Sequence, residues 1–341
     1  MKAAIYNPYL DTLGGGERYT LSFAKILVDK GFRVDIQWKS KDILEVLEKR
    51  FGMNLKGISV VDDIKRGDGY DLCFWVSDGS VPALRSRNNI LHFQVPFRNV
   101  NGRSLINKMK FFRINSIVCN SDFTKGFIDD EFGVNSIVIY PPVAVDDIKS
   151  KKKEKIILNV SRFSRLLQSK HQEVLVNVFK RFFDHGNSDW RLLLVGGNEV
   201  GDGGYTEELK KISEGYPVDV VVSPGFKFIK EMYGKAKIFW SASGFGINEH
   251  DHPESVEHFG ITVVEAMSGG VVPFVYNAGG HKEIIKNKEN GFLWNTENEL
   301  LRLTSEVVNN KKLLKTISEK GAQDCHRFSY KAFEDGFNKI I

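Results

Sequence analysis

The sequence predicts an α/β protein of two Rossmann-like domains with a ligand cleft between them, and three observations predict it. Short apolar runs alternate with amphipathic helical stretches along most of the chain, which is the pattern of a parallel, doubly wound sheet. The alternation breaks once, at Tyr140-Pro141-Pro142-Val143 and the charged run 149–155 that follows, a composition typical of a linker. At 341 residues the chain is also longer than one hydrophobic core ordinarily supports. The expected domains are therefore 1–145 and 146–341, with the last helix a candidate to cross back to the first.

In the first half, strands are expected at 3–7, 32–37, 58–61, 72–76, 90–95, 117–119 and 137–140, each a short run rich in apolar residues. Between the first two, Leu13-Gly14-Gly15-Gly16 is a glycine turn, and Leu21, Phe23, Ile26 and Leu27 recur at helical spacing over 18–30. Further helices are expected at 42–50, 104–113 and 122–132; Ser121 or Asp122 is placed to cap the last of these. In the second half, strands are expected at 156–160, 191–195, 218–222, 238–240 and 271–276. Helices are expected there at 172–184, 206–214, 229–235, 261–268, 297–309 and 312–320.

Composition narrows the class. Apolar and charged fractions of 42% and 27% are those of a globular protein. No stretch approaches the length of a membrane span, and Met1-Lys2 runs straight into a strand-like segment without a leader pattern. Three widely separated cysteines, Cys73 and Cys119 within apolar runs, suit a reducing cytoplasm better than a disulfide framework. The net charge of +5 is mild and favours anionic partners without naming one. No nucleic-acid-binding motif is found.

The stretch 257–267 carries the most chemistry. Gly260-Ile261-Thr262 opens a helix, where unpaired N–H groups and the positive end of the macrodipole suit a diphosphate. Glu265 lies about a turn inside, where a carboxylate can accept from a ribose diol, and Glu257 lies just ahead of the turn for a second polyol. A phosphate flanked by two polyols describes a nucleotide-sugar. The competing reading is an amphipathic helix with a solvated glutamate at each end. Gly15 and Gly16 would let the backbone approach a phosphate or sugar, or would simply make a tight strand-to-helix turn.

The Glu-x7-Glu pattern with Ala266-Met267, the run Ser268-Gly269-Gly270-Val271-Val272-Pro273, and Gly279-Gly280-His281-Lys282-Glu283 resemble the retaining glycosyltransferases of family 4, whose fold is GT-B. The similarity extends to Trp240-Ser241-Ala242-Ser243-Gly244-Phe245-Gly246 and to the closing Arg327-Phe328-Ser329-Tyr330. The resemblance implies an acceptor-side first domain, a donor-side second domain, and transfer of a hexose from a nucleotide diphosphate sugar to a sugar hydroxyl. The acceptor would be a glycan or a lipid-linked sugar, as in polysaccharide biosynthesis. It implies that Arg162 and Lys170 hold the donor diphosphate, with Arg165 a competitor for the first role, and that Glu257 orients the transferred sugar and Glu265 the ribose. His92, at the end of an apolar strand, would lie near the transferred sugar; a buried core histidine is the competing reading. Gly15 and Gly16 would face the donor. One departure is Ser241, where the family frequently has His. A GT-B epimerase or phosphorylase, or a non-catalytic nucleotide-sugar binding module, are the alternatives.

No cofactor and no metal are expected. The chain contains no Asp-x-Asp, and in Glu249-His250-Asp251-His252 adjacent side chains are poorly placed to converge on one ion. The segment 104–113 mixes Lys108, Lys110 and Arg113 with Leu105, Ile106, Met109, Phe111 and Phe112. It reads either as a core-packed helix with a cationic face or as a peripheral contact with anionic lipid at the cytoplasmic membrane face.

Overall fold

The computed structural model describes residues 1–165, 168–198 and 204–341. The chain divides into two units, one of Met1–Pro142 together with Tyr330–Ile341, the other of Val143–Ser329. The division falls at Pro142, where the expectation was 145, and the final helix belongs to the first unit.

In unit 1 the strands are β1 (Lys2–Tyr6), β2 (Arg33–Gln37), β3 (Ile58–Val61), β4 (Leu72–Val76), β5 (Asn88–Phe93), β6 (Ser116–Cys119) and β7 (Ile137–Val138). Among the described residues they form one sheet in the order β3-β2-β1-β4-β5-β6-β7 with parallel pairings. The helices are α1 (Gly15–Asp29), α2 (Ile43–Phe51), α3 (Leu105–Phe111), α4 (Asp122–Phe132) and, from the C-terminus, α12 (Tyr330–Phe337). Leu21, Phe23 and Leu27 of α1 pack on Ile5, Val34 and Phe74 of the sheet, as their helical spacing requires. Phe333 and Phe337 of α12 complete that core, with the Phe337 ring 4.2 Å from Phe23. Ser121 caps α4 by accepting from the Thr124 N–H at 3.0 Å. Cys73 and Cys119 are buried free thiols.

Unit 2 contains β8 (Ile156–Val160), α5 (Gln172–Asp184), β9 (Arg191–Gly196), α6 (Tyr205–Ile212), β10 (Val218–Val222), α7 (Phe226–Lys235) and β11 (Ile238–Ser241). It continues with α8 (Ile261–Ser268), β12 (Val272–Tyr276), α9 (His281–Ile284), β13 (Phe292–Trp294), α10 (Glu297–Asn309) and α11 (Lys311–Asp324). The strand order is β10-β9-β8-β11-β12-β13, again parallel. Val178, Phe179 and Phe182 of α5 meet Trp240, Trp294 and Leu300 in the core.

Four features depart from the sequence reading. β13 and α9 span three and four residues, too few for either period to register. The charged run 149–155 is partly pinned to unit 2 rather than free. Lys153 Nζ donates to the Gly269 carbonyl at 2.6 Å, supplying a cation at the C-terminal end of α8. Burial lowers that ammonium to about 7. α3 has no buried residue. Phe111 packs edge-on against Phe132 at 6.1 Å, whereas Leu105, Ile106, Met109 and Phe112 are exposed, so the helix is not the core-packed element its apolar content suggested.

In each sheet the chain first builds outward in one direction and then restarts beside its own first strand. This leaves a switch point between β1 and β4 in unit 1 and between β8 and β11 in unit 2. Ligands of open parallel sheets collect at the carboxyl ends of the strands at such points.

Candidate functional site

Unit 2 brings several of the expected residues together at its switch point. β8 ends at Val160 and delivers Ser161 and Arg162; β11 ends at Ser241 and delivers Ser243. Lys170, just ahead of α5, extends its ammonium to Glu257 Oε2 at 2.9 Å and to Ser243 Oγ at 3.1 Å, and the Ser243 hydroxyl lies 3.3 Å from the same carboxylate oxygen. Two of the three ammonium donors are thus accounted for. The pair is largely shielded, with side-chain exposures of 10% for Lys170 and 24% for Glu257. Burial pushes the Glu257 carboxyl up, but the charges of Lys170, His281 and His258, with the Lys170 hydrogen bond, outweigh it and hold it at about 2. Glu257 is therefore an anion throughout the neutral range.

The glycines of the β12–α9 turn make this geometry possible. A Cβ on Gly279, which sits at φ +57°, would lie 2.1 Å from the Glu257 carbonyl oxygen, and one on Gly280 would lie 2.4 Å from Phe259 Cα. The Gly280 N–H donates to that Glu257 carbonyl at 2.8 Å. Glu249 holds the same turn from the other side, accepting from the Gly279 N–H at 2.6 Å and pairing with Lys282. Within 249–252 it thus serves as a brace for the turn. His281, buried, sets its ring through Nδ1–H to the Tyr276 carbonyl at 3.0 Å. Burial lowers its pKa.

Gly260 precedes α8 at φ +116°, a conformation open to glycine at little cost. Among the described residues no acceptor is found for the N–H groups of Ile261 and Thr262, the first two of the helix. They are the unpaired first N–H groups of a helix N-terminus. Glu265, one turn further, is buried, and its Oε2 accepts from the Tyr233 hydroxyl at 3.1 Å. Arg162 is exposed after β8, its carbonyl held by Gln172 Nε2 at 2.8 Å. Its competitor Arg165 is committed elsewhere, paired with Glu208 and stacked 4.8 Å above the Tyr205 ring.

Unit 1 is different. Gly15 is exposed in the first turn of α1 and Gly16 lies against the Gln94 side chain, where a Cβ would come within 2.2 Å of Oε1. Glu17 closes the turn by accepting from the Gly14 N–H and the Thr12 hydroxyl, both at 2.7 Å. His92 stands in the core rather than at a surface. It is fully buried, stacked 4.2 Å from Tyr19, and donates from Nδ1 to the Val118 carbonyl at 3.0 Å. Burial lowers its pKa to about 3, so the ring is neutral. Among the described residues no donor reaches its Nε2. The structure thus shows the buried histidine of the competing reading: the inward face of β5 aims the imidazole at the aromatic layer under α1.

Sequence reasoning gave no role to Ser243, His281 or Tyr233. The first two sit in the quoted glycine-rich turns and were within reach of that signal. Tyr233 lies 32 residues from Glu265 and only folding joins them.

The model of the glycosyl transferases group 1 family matches residues 144–324, more than half of the chain and nearly all of unit 2. The chain belongs to that family. Among curated relatives, it is 27% identical over 246 residues to a GDP-Man:Man(3)GlcNAc(2)-PP-Dol alpha-1,2-mannosyltransferase of Dictyostelium discoideum, covering 66% of this chain and 46% of that one. The chain thus spans about half the length of that relative. It is 24% identical to an uncharacterized glycosyltransferase of Methanocaldococcus jannaschii over 99% of this chain and 96% of the other. Among solved structures, Anabaena HepE in complex with UDP superposes with a TM-score of 0.78 at 17% identity, covering 99% of both chains. A glycosyltransferase from Rickettsia africae gives 0.77 at 19%, covering 99% of this chain and 97% of that one. These structures share the fold, two Rossmann-like α/β domains of the GT-B type.

Proposed function

We propose that this family member is a retaining, metal-independent hexosyltransferase, similar to family 4, that moves a sugar from a nucleotide diphosphate to a hydroxyl of a glycan or lipid-linked acceptor. The observation that carries the proposal is the Lys170–Glu257–Ser243 cluster beside the open N-terminus of α8, at the switch point of unit 2. In this reading Lys170, Arg162 and the N–H groups of Ile261 and Thr262 receive the diphosphate, and Glu265 receives the ribose. Glu257, held ionised by Lys170, orients hydroxyls of the transferred sugar. Catalysis is then electrostatic stabilisation of the departing diphosphate plus positioning. In this reading the two glutamates orient polyols and do not act as an acid and nucleophile pair. The UDP complex of HepE and the GDP-mannose relatives support a nucleotide-sugar donor without choosing the base.

The test begins with thermal shift across UDP-, GDP- and ADP-sugars, followed by transfer assays with the stabilising donor in excess EDTA. The expected result is one preferred nucleotide, a product of unchanged anomeric configuration, and activity that survives chelation. Inverted product would remove the retaining mechanism. A complete, metal-reversible loss in EDTA would remove the metal-independent one. Binding without transfer or hydrolysis would leave a nucleotide-sugar binding module.

A further inference from the structure

α3 of unit 1 presents an apolar face that no other element covers. Leu105, Ile106, Met109 and Phe112 are 79%, 66%, 70% and 90% exposed. Residues 105, 109 and 112 recur at the spacing of one helical face, with 106 beside them. Exposing four large apolar side chains together is costly in water, and such patches mark contact with another phase or molecule.

The charge around the patch identifies that phase. Residues 99–121 contain no Asp or Glu, while Arg103, Lys108, Lys110 and Arg113 fall within eleven positions. Arg103 is tied to Asp130 at 3.3 Å. Among the described residues no ion pair engages Lys108, Lys110 or Arg113. The C-terminal end of the helix also borders an open depression of about 590 Å³ at the amino ends of β4, β5 and β6. Phe112 forms part of its wall together with Arg85, Arg87, Arg113, Tyr70 and Asp71. Asp71 is paired with Arg87 at 3.3 Å and accepts from the Lys2 N–H at 2.9 Å; among the described residues Arg85 and Arg113 have no carboxylate partner. A cationic recess beside exposed Leu, Ile, Met and Phe is complementary to a phosphate headgroup above acyl chains. An acidic protein partner would match the cations but would leave the four apolar side chains unexplained.

We propose that this face is a docking surface for an anionic lipid bilayer: Leu105, Ile106, Met109 and Phe112 enter the headgroup boundary, and Arg85 and Arg113 grip a lipid phosphate in the recess. The proposal goes beyond the donor chemistry of unit 2 and does not depend on it, because none of these residues belongs to that unit.

The full chain is tested by co-sedimentation with vesicles of phosphatidylcholine alone and of phosphatidylcholine containing phosphatidylglycerol. Wild type is expected to bind the anionic vesicles at low salt, weakly or not at all to the neutral ones, and less as salt rises. Replacing Leu105, Ile106, Met109 and Phe112 together by Ser is expected to weaken binding at least tenfold. The Arg85→Ala/Arg113→Ala pair is expected to lose about fivefold per cation and to flatten the salt dependence. All six positions are exposed, so unchanged melting temperatures and unchanged nucleotide-induced thermal shifts certify the variants and keep this result separate from the test of the donor site. Absence of binding to anionic vesicles at low salt overturns the proposal, as does equal binding to neutral vesicles or binding that both variants retain. Concentration-dependent dimerisation in sedimentation velocity that the Ser variant abolishes would assign the face to a second copy of the chain and overturn it as well.

Discussion

Units 1 and 2 are built on the same plan, a parallel sheet reversed at its centre, yet they arrange their polar groups differently at the carboxyl ends of their strands. Unit 2 keeps charge there: an anionic Glu257 locked to Lys170, beside a helix start whose N–H groups await an acceptor. Unit 1 satisfies its polar groups locally: an imidazole that burial keeps neutral, stacked under Tyr19, a glycine turn whose first N–H is already taken by the Glu17 carboxylate, and, after β4, an Asp78 that accepts from the Ser80 N–H. The family model covers unit 2 and stops short of unit 1. The difference teaches that the shared fold supplies the position of a site in both halves, while the side chains placed there decide what each half leaves unpaired.

The sharpest way to break this contrast is Lys170→Ala. Removing a cation that meets a departing diphosphate is expected to slow transfer about 10²–10³-fold; Arg162→Ala should act in the same direction with less effect on folding, since it is exposed. Wild-type turnover in both variants would move the leaving-group role elsewhere.

Gly279→Ala comes next. A left-handed backbone and a Cβ 2.1 Å from the Glu257 carbonyl oxygen are together expected to cost about 3 kcal/mol. Gly16→Ala in unit 1 meets the tip of a flexible Gln94 side chain instead, and about 1 kcal/mol is expected. Denaturant melts of the two variants should differ in that order; equal stabilities would show that the turn relaxes freely.

For Glu265→Ala the expected loss of nucleotide affinity is roughly 1–3 kcal/mol, because the hydroxyls it accepts from would be left unpaired. Tyr233→Phe removes a donor to the same carboxylate and should weaken binding less. Unchanged affinity for Glu265→Ala in calorimetry would withdraw the ribose assignment.

The smallest expected effect separates the units by pH. The folded pKa of His92 is about 3 against an ordinary 6.5, so the unfolded chain takes up a proton first as pH falls. The stability lost is at most about 1.4 kcal/mol per pH unit below 6.5. Glu257 acts lower: its contribution is whole above its ordinary 4.5 and disappears as pH falls toward about 2. His92→Phe, which keeps a ring against Tyr19, should therefore flatten the stability profile between about pH 6.5 and pH 5, whereas Glu257→Gln should not. If the wild-type and His92→Phe profiles run parallel there, the imidazole is not held neutral by burial.

Much of this protein was determined by sequence alone, for a local reason. The strands of both sheets alternate with helices whose apolar spacing is 3.6 or nearly so, and β3, β4, β8, β10, α4, α5, α8 and α10 lie where that pattern places them. The glycine turns and the Glu257 to Glu265 spacing are likewise local facts, and the structure places both glutamates around the start of α8 as that spacing requires. Tertiary structure alone decided what each side chain meets. Whether His92 faces a surface or an aromatic layer depends on which side of β5 is covered by α1, and whether α3 is packed or bare depends on what lies across from it. Arg162 and Arg165 are two similar cations in one loop until Glu208 and Tyr205, more than forty positions from Arg162, claim the second. Periodicity records which residues share a face; it carries no information about the partner opposite, because that partner is brought there by the rest of the chain.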